Sequence, residues 1–168
     1  MNSYYKQLVT TYKTVQYKSL SSVTVVGFIL ALIMVVTYQM IPAVVLAAAA
    51  IGAGYFKRYL YVEYEYEFNK DEISICKIIG KVSRKKCIEF NIKDMEILAT
   101  ESSKHLKAIN NLPKKKLKFY PVTSKAEIYS AVVKYNGERV QLKFVPDNQF
   151  IELCYKHNSK CVKKELTN

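Results

Sequence analysis

Two short runs of cations are the residues of this chain best suited to binding something. "KVSRKK" brings Lys81, Arg84, Lys85 and Lys86 together, and "PKKKLK" brings Lys114, Lys115, Lys116 and Lys118. Clusters of this kind attract an anionic surface or an acidic partner, and a solvated basic surface has the same composition. Neither run has interleaved aromatics or a recognition helix beside it, so no nucleic-acid partner is expected. Cys154, His157 and Cys161 fall at i, i+3 and i+7, on one helical face. Soft ligands on one face could hold zinc. The same positions continue an apolar stripe, where cysteine behaves as a small buried hydrophobe, and no metal site is assigned. Glu63, Glu65 and Glu67 alternate along what reads as one strand face. That stripe could take a cation, but it suits a solvated face opposite lysines on a neighbouring strand better.

The remaining chemistry is sparse. Of five glycines, Gly27, Gly52 and Gly54 lie in apolar sequence and Gly80 and Gly137 in turns, leaving none for a phosphate-cradling loop. His105 and His157 are isolated from each other, and no serine or cysteine sits in a nucleophile motif. The expectation is a non-enzymatic protein without a cofactor.

Charge is partitioned along the chain. All 14 acidic residues lie at or after Glu63, whereas only five of the 26 cations precede it. No charge occurs among the 38 residues from Ser19 to Phe56. A membrane span takes roughly 20 apolar residues, so this run is long enough for two helices and a turn. The expected helices are about Leu20–Met40 and Pro42–Phe56, turning at "TYQMIP", with Pro42 in the first turn of the second helix. The apolar core of a signal peptide is about 7–15 residues, less than half this run. Lys6, Lys13, Lys18, Lys57 and Arg58 flank the run and the turn carries no cation, which places both termini in the cytoplasm. On this reading a cysteine in the Tyr38–Ile41 turn labels from outside intact cells and Cys154 does not. Ala48/Gly52 and Ala50/Gly54, spaced by four, allow close helix approach within the hairpin or between copies. Tyr5, Leu8, Val9, Tyr12 and Val15 follow helical spacing, so residues 1–18 read as an interfacial amphipathic helix.

From residue 59 the period changes to two. Leu60, Val62, Tyr64, Tyr66 and Phe68 form a core face opposite the three glutamates. "NKDE" turns into a strand at Ile73–Ile79, and Gly80–Lys81 turns into another that runs to Asn91. Met95 and Ile97 mark a fourth strand, Thr100 to Lys116 a long loop, and Leu117–Val122 a fifth strand that Pro121 limits to an edge. Asn136–Gly137 is a two-residue hairpin turn that pairs Tyr135 with Glu138, Val133 with Val140, Ala131 with Leu142 and Tyr129 with Phe144. Asp147 then caps a final helix through Phe150, Ile151 and Cys154. The expected fold is a membrane α-helical hairpin (19–58) joined to a mainly-β domain (59–162). That domain is a barrel of about seven antiparallel strands closed by a C-terminal helix, with a tail at 163–168.

That order resembles the pleckstrin-homology-like (PH-like) superfold. The chain is also similar to a domain-of-unknown-function family of small clostridial membrane proteins with an N-terminal transmembrane hairpin. The residues that carry the likeness are "VEYEYEFNKDEISICKIIGKVSRKK", "IKDMEIL" and "FVPDNQF". The resemblance implies a bacterial membrane protein with a PH-like domain, and no catalytic residue. In lipid-binding members of the superfold the first strand loop is basic; here it is "NKDE", so no phosphoinositide ligand is carried over. The function expected is a binding or scaffold module in the inner membrane, crossing it twice. It would recognise a protein partner, a second copy or the anionic leaflet. The alternative is an accessory subunit of a membrane transport or secretion complex.

Overall fold

The computed structural model describes residues 4–108 and 111–163. The chain opens with a strand, β1 (Tyr4–Val9), where helical spacing predicted an interfacial helix. This corrects the interfacial-helix reading at Tyr4–Val9, residues 1–3 lying outside the described residues: the segment alternates as well as it spirals, and its partners decide. β1 pairs antiparallel with β2 (Val62–Asn69), from Tyr4 opposite Asn69 to Val9 opposite Tyr64. Its side chains also reach the far end of the body. Tyr5 Oη donates to Asp147 at 2.5 Å, and Gln7 Nε2 donates to the Val145 carbonyl at 3.0 Å.

Two long helices follow. The first, α1 (Val15–Val36), starts five residues earlier than expected because Thr14 caps it, its hydroxyl accepting from the Tyr17 N–H at 3.2 Å. α1 ends on a left-handed Tyr38, with the Tyr38 N–H bonded to Val35 O and the Gln39 N–H to Met34 O. These two bonds satisfy carbonyls that a helix end would otherwise strand. The second, α2 (Met40–Phe56), continues into a 3-10 turn at Lys57–Leu60. Val15–Val36 and Met40–Leu60 are each long and apolar enough to cross a membrane. The helices pack through their smallest residues: Ala31 of α1 and Ala43 and Ala50 of α2 are their only buried positions. A Cβ on Gly27 would stand 3.0 Å from Ala50 Cβ, and Gly54 lies against Thr24. Of the two small pairs in the sequence, therefore, Ala50/Gly54 faces α1. Ala48 is exposed, and Gly52 would have nothing within 4 Å of a Cβ.

Among the described residues, 59–162 holds the seven strands expected, and β1 makes an eighth; they form two four-stranded sheets and not one antiparallel run. β3 (Glu72–Ile79) and β4 (Ser83–Asn91) complete the first sheet, ordered β1-β2-β3-β4. The second, ordered β5-β7-β8-β6, contains β5 (Met95–Thr100), β6 (Lys116–Lys118), β7 (Tyr129–Tyr135) and β8 (Glu138–Phe144). β7 and β8 hold the register that the Asn136–Gly137 turn predicts, including Val133 opposite Val140. β6 is shorter than expected and runs parallel to β8. The loop before it forms one helical turn, α3 (Lys104–Lys107), and Leu106 and Leu112 cover Ile97, Ala99 and Val132 on the outer side of the second sheet.

The core lies between the sheets and is plugged by α4 (Asn148–His157), capped by the Asp147 carboxylate accepting from the Phe150 N–H at 2.8 Å. Phe150 meets Tyr66, Phe68 and Phe144 edge to face. Burial pushes the Tyr66 hydroxyl well above the usual tyrosine range. It stays protonated, donating to Phe119 O at 2.5 Å and accepting from the Val145 N–H at 3.2 Å. One residue thus ties the first sheet to the ends of β6 and β8. α4 stops at His157, so Cys161 does not extend its face. It lies in the turn before Val162, which bridges to Leu98.

Candidate functional site: a basic cleft beneath the helices

The expected binding residues do not form one patch. Strand alternation divides the first run. Arg84 and Lys86 point to the outer face of the first sheet, opposite Ile78 and Cys76, and Lys85 pairs with Lys77 on the other face. Arg84 is ion-paired to Glu65 and lies 3.3 Å from Glu67, and Lys86 Nζ lies 2.9 Å from Glu89. Lys6 of β1 reaches Glu65 from the other side at 2.8 Å, and that carboxylate raises the Lys6 ammonium above its usual range. Glu63 and Glu65 are buried, 4 % and 5 % exposed, where a solvated face was expected. The long stems of Lys6 and Arg84 carry their charges onto Glu65 and close over it, while Glu63 accepts from the Tyr61 hydroxyl at 3.2 Å.

The second run is also partly engaged. Lys115 lies 3.2 Å from Glu138. Lys116 and Lys118 are exposed on β6, the edge strand of its sheet, and Lys114 is exposed just before it. Lysines on an edge strand deter pairing with another chain, which accounts for these residues without a ligand.

The cysteine face is engaged internally. His157 Nδ1 lies 2.7 Å from Asp71, and Cys161 Sγ donates to Asn158 O. Burial raises both thiols above the ordinary range, Cys161 to about 11. Among the described residues no three His, Cys, Asp or Glu side chains are placed to hold a metal ion. The four cysteines are free thiols, and of them only Cys87 is exposed.

Lys81 goes elsewhere. Gly80 and Lys81 form the β3–β4 turn with φ of +60° and +64°. Gly80 donates to Tyr61 O at 2.8 Å, and a Cβ on it would meet Arg58 Cβ at 3.1 Å. This turn, the 3-10 turn and the start of α1 border a half-open cleft of about 240 Å³ lined by Lys13, Tyr17, Lys57, Arg58, Tyr61, Gly80 and Lys81. Lys13 Nζ stands 5.8 Å from the centre of the Tyr17 ring, Lys81 Nζ stands 5.3 Å from that of Tyr61, and the two rings are 5.9 Å apart. A cation over a ring face is attracted by the negative face of the ring. Among the described residues, none of the four cations has a carboxylate within 4 Å. Three segments distant in sequence supply them, so spacing gave no sign of the cleft. The nearest sign was the placement of Lys13, Lys57 and Arg58 at the two ends of the apolar run.

No curated protein and no solved structure matches the chain. The family profile described as "Bacterial PH-like domain (DUF6106)" matches residues 1–164, helices and β body together, and the chain belongs to that family.

Proposed function

We propose that this is a membrane-anchored, non-enzymatic binding module. Its hairpin crosses the cytoplasmic membrane twice, and the PH-like body lies against the cytoplasmic leaflet. The observation that carries this reading is the surface of α1 and α2. Away from their mutual contact they present a continuous apolar face, including Val25, Ile29, Leu32, Val36, Val44 and Ile51, all more than half exposed. Water would leave that face unburied, and a bilayer would cover it. Lys13, Lys18, Lys57 and Arg58 stand at the end joined to the β body, while residues 37–41 at the tip carry no charge. That asymmetry favours a cytoplasmic body.

A sedimentation and labelling experiment tests it. The full chain should pellet with membranes and resist carbonate extraction. A Tyr38→Cys variant should react with an impermeant maleimide on intact cells. Cys154 is fully buried and would stay silent in either orientation, so the native reporter is Cys87. It should label only after lysis. Protein left in the supernatant removes the anchor, and Cys87 labelling on intact cells reverses the orientation.

One observation favours the accessory-subunit reading. The open Ala48/Gly52 face of α2 leaves room for another helix backbone, from a second copy or a larger subunit. Replacing residues 19–56 with an unrelated hairpin separates the readings: partners that survive the exchange are held by the β body, and partners that are lost are held by the helices.

A further inference from the structure

We infer that the cleft between Lys13, Lys57, Arg58 and Lys81 is a seat for the phosphate of an anionic phospholipid. This rests on the membrane reading above and adds a ligand and a place for it. Four cations line a cleft of about 240 Å³. Among the described residues none of the four has a carboxylate within 4 Å, which is true of most lysines in the chain; what sets them apart is that four line one cavity, whose Tyr61 wall is bonded to the buried Glu63. Charges left unneutralised around a cavity favour an anion within it. α1 adds to this, because its first turn contains no acidic residue to offset the positive end of the helix. The Tyr17 and Tyr61 rings form an amphipathic wall of the kind found at headgroup depth.

The position selects lipid over a soluble anion. The cleft opens where the chain passes from α2 into the β body, at the cationic end of the apolar helices. Two apolar tips adjoin residues at that end of the helices. Val82, next to Lys81 in the β3–β4 turn, is 84 % exposed. Val122 is 98 % exposed in a loop fastened to the segment leading into α1 by the Tyr12 N–H donating to Thr123 Oγ1 at 3.0 Å. Contact of that end with the bilayer would give both valines a dry environment. The phosphate would then enter from the leaflet with its acyl chains beside α1 and α2. Zwitterionic lipid carries the same phosphate with a tethered cation that the four side chains would repel, so the site should discriminate.

Native mass spectrometry of the delipidated full chain in detergent, offered phosphatidylglycerol or phosphatidylcholine with identical acyl chains, tests this. Wild type should retain the anionic lipid in preference. Each surface cation contributes roughly a fivefold factor, so Arg58→Gln with Lys81→Gln should reduce that preference by about 25-fold. Glutamine keeps the Arg58 Cβ that packs on Gly80, and an unchanged circular dichroism spectrum would show the turn intact. Lys116→Gln with Lys118→Gln should leave the preference as it is. Equal retention of the two lipids by wild type overturns the proposal, as does an equal loss in both double variants. Displacement of the lipid by millimolar inorganic phosphate overturns the lipid assignment in favour of a soluble phosphate. A chain that enters membranes but shows no lipid preference rejects the cleft alone. A chain that never enters them rejects the anchor as well.

Discussion

Glu65 shows how a residue that reads as surface becomes interior. It lies in a strictly alternating strand, yet Lys6 and Arg84 converge on it from strands on either side and cover it. Its partners remain roughly half exposed, so the triad owes its effect to register more than to a large Coulombic gain. Asp71 fills a comparable role at the end of α4. The bond to His157, and after it that to Lys93, holds the Asp71 carboxyl below its ordinary range. A carboxyl depressed in the folded state stabilises the fold above its unfolded value of about 3.9, and that contribution disappears as pH falls through the lower folded value. Asp71→Asn should therefore lower the thermal midpoint at neutral pH, and the gap should begin to narrow near pH 4 and close only below the depressed folded value. Near-ultraviolet dichroism of the tyrosines, followed on heating across that range, checks it. A constant gap down to pH 2 would rule out the linkage.

At the scale of elements, the hairpin is set by where side chains are missing. Gly27 and Ala50 touch at a distance that leaves no room for a larger group, while Gly52 on the same helix faces open space. Gly27→Leu should force the helices apart and cost about 1–3 kcal/mol. Gly52→Leu should cost little, since leucine is also the better helix former. Unfolding in mixed micelles measures both. Equal losses would mean that the helices meet through another face, and a loss at Gly52 alone would point to a partner helix there. β1 depends on its surroundings in a different way. Its sequence fits a helix as well as a strand, but β2 offers it an open edge, and Asp147 and the Val145 carbonyl offer its side chains partners across the body.

At the scale of the whole molecule, the chain threads its β body from both sides of the hairpin. Residues ahead of α1 form an edge strand of a sheet whose other strands come after α2. The hairpin is thereby held at both of its ends by one folded unit. Deleting residues 4–9 should expose the β2 edge and loosen the start of α4, lowering the midpoint of the full chain and speeding proteolysis within residues 62–69. Survival of the body at full stability would make β1 an accessory. Local patterns by themselves determined the two apolar helices, the β7–β8 register, the strand faces through Tyr66 and Phe68 and the Asp147 cap, because each depends on neighbours within a few residues. Only the tertiary structure decided the strand at Tyr4–Val9, the burial of Glu63 and Glu65, the parallel β6 and the cleft shared by Lys13, Lys57, Arg58 and Lys81. Each of these requires contacts between segments tens of residues apart, and a periodicity records which way a side chain faces but not what the rest of the chain places opposite it.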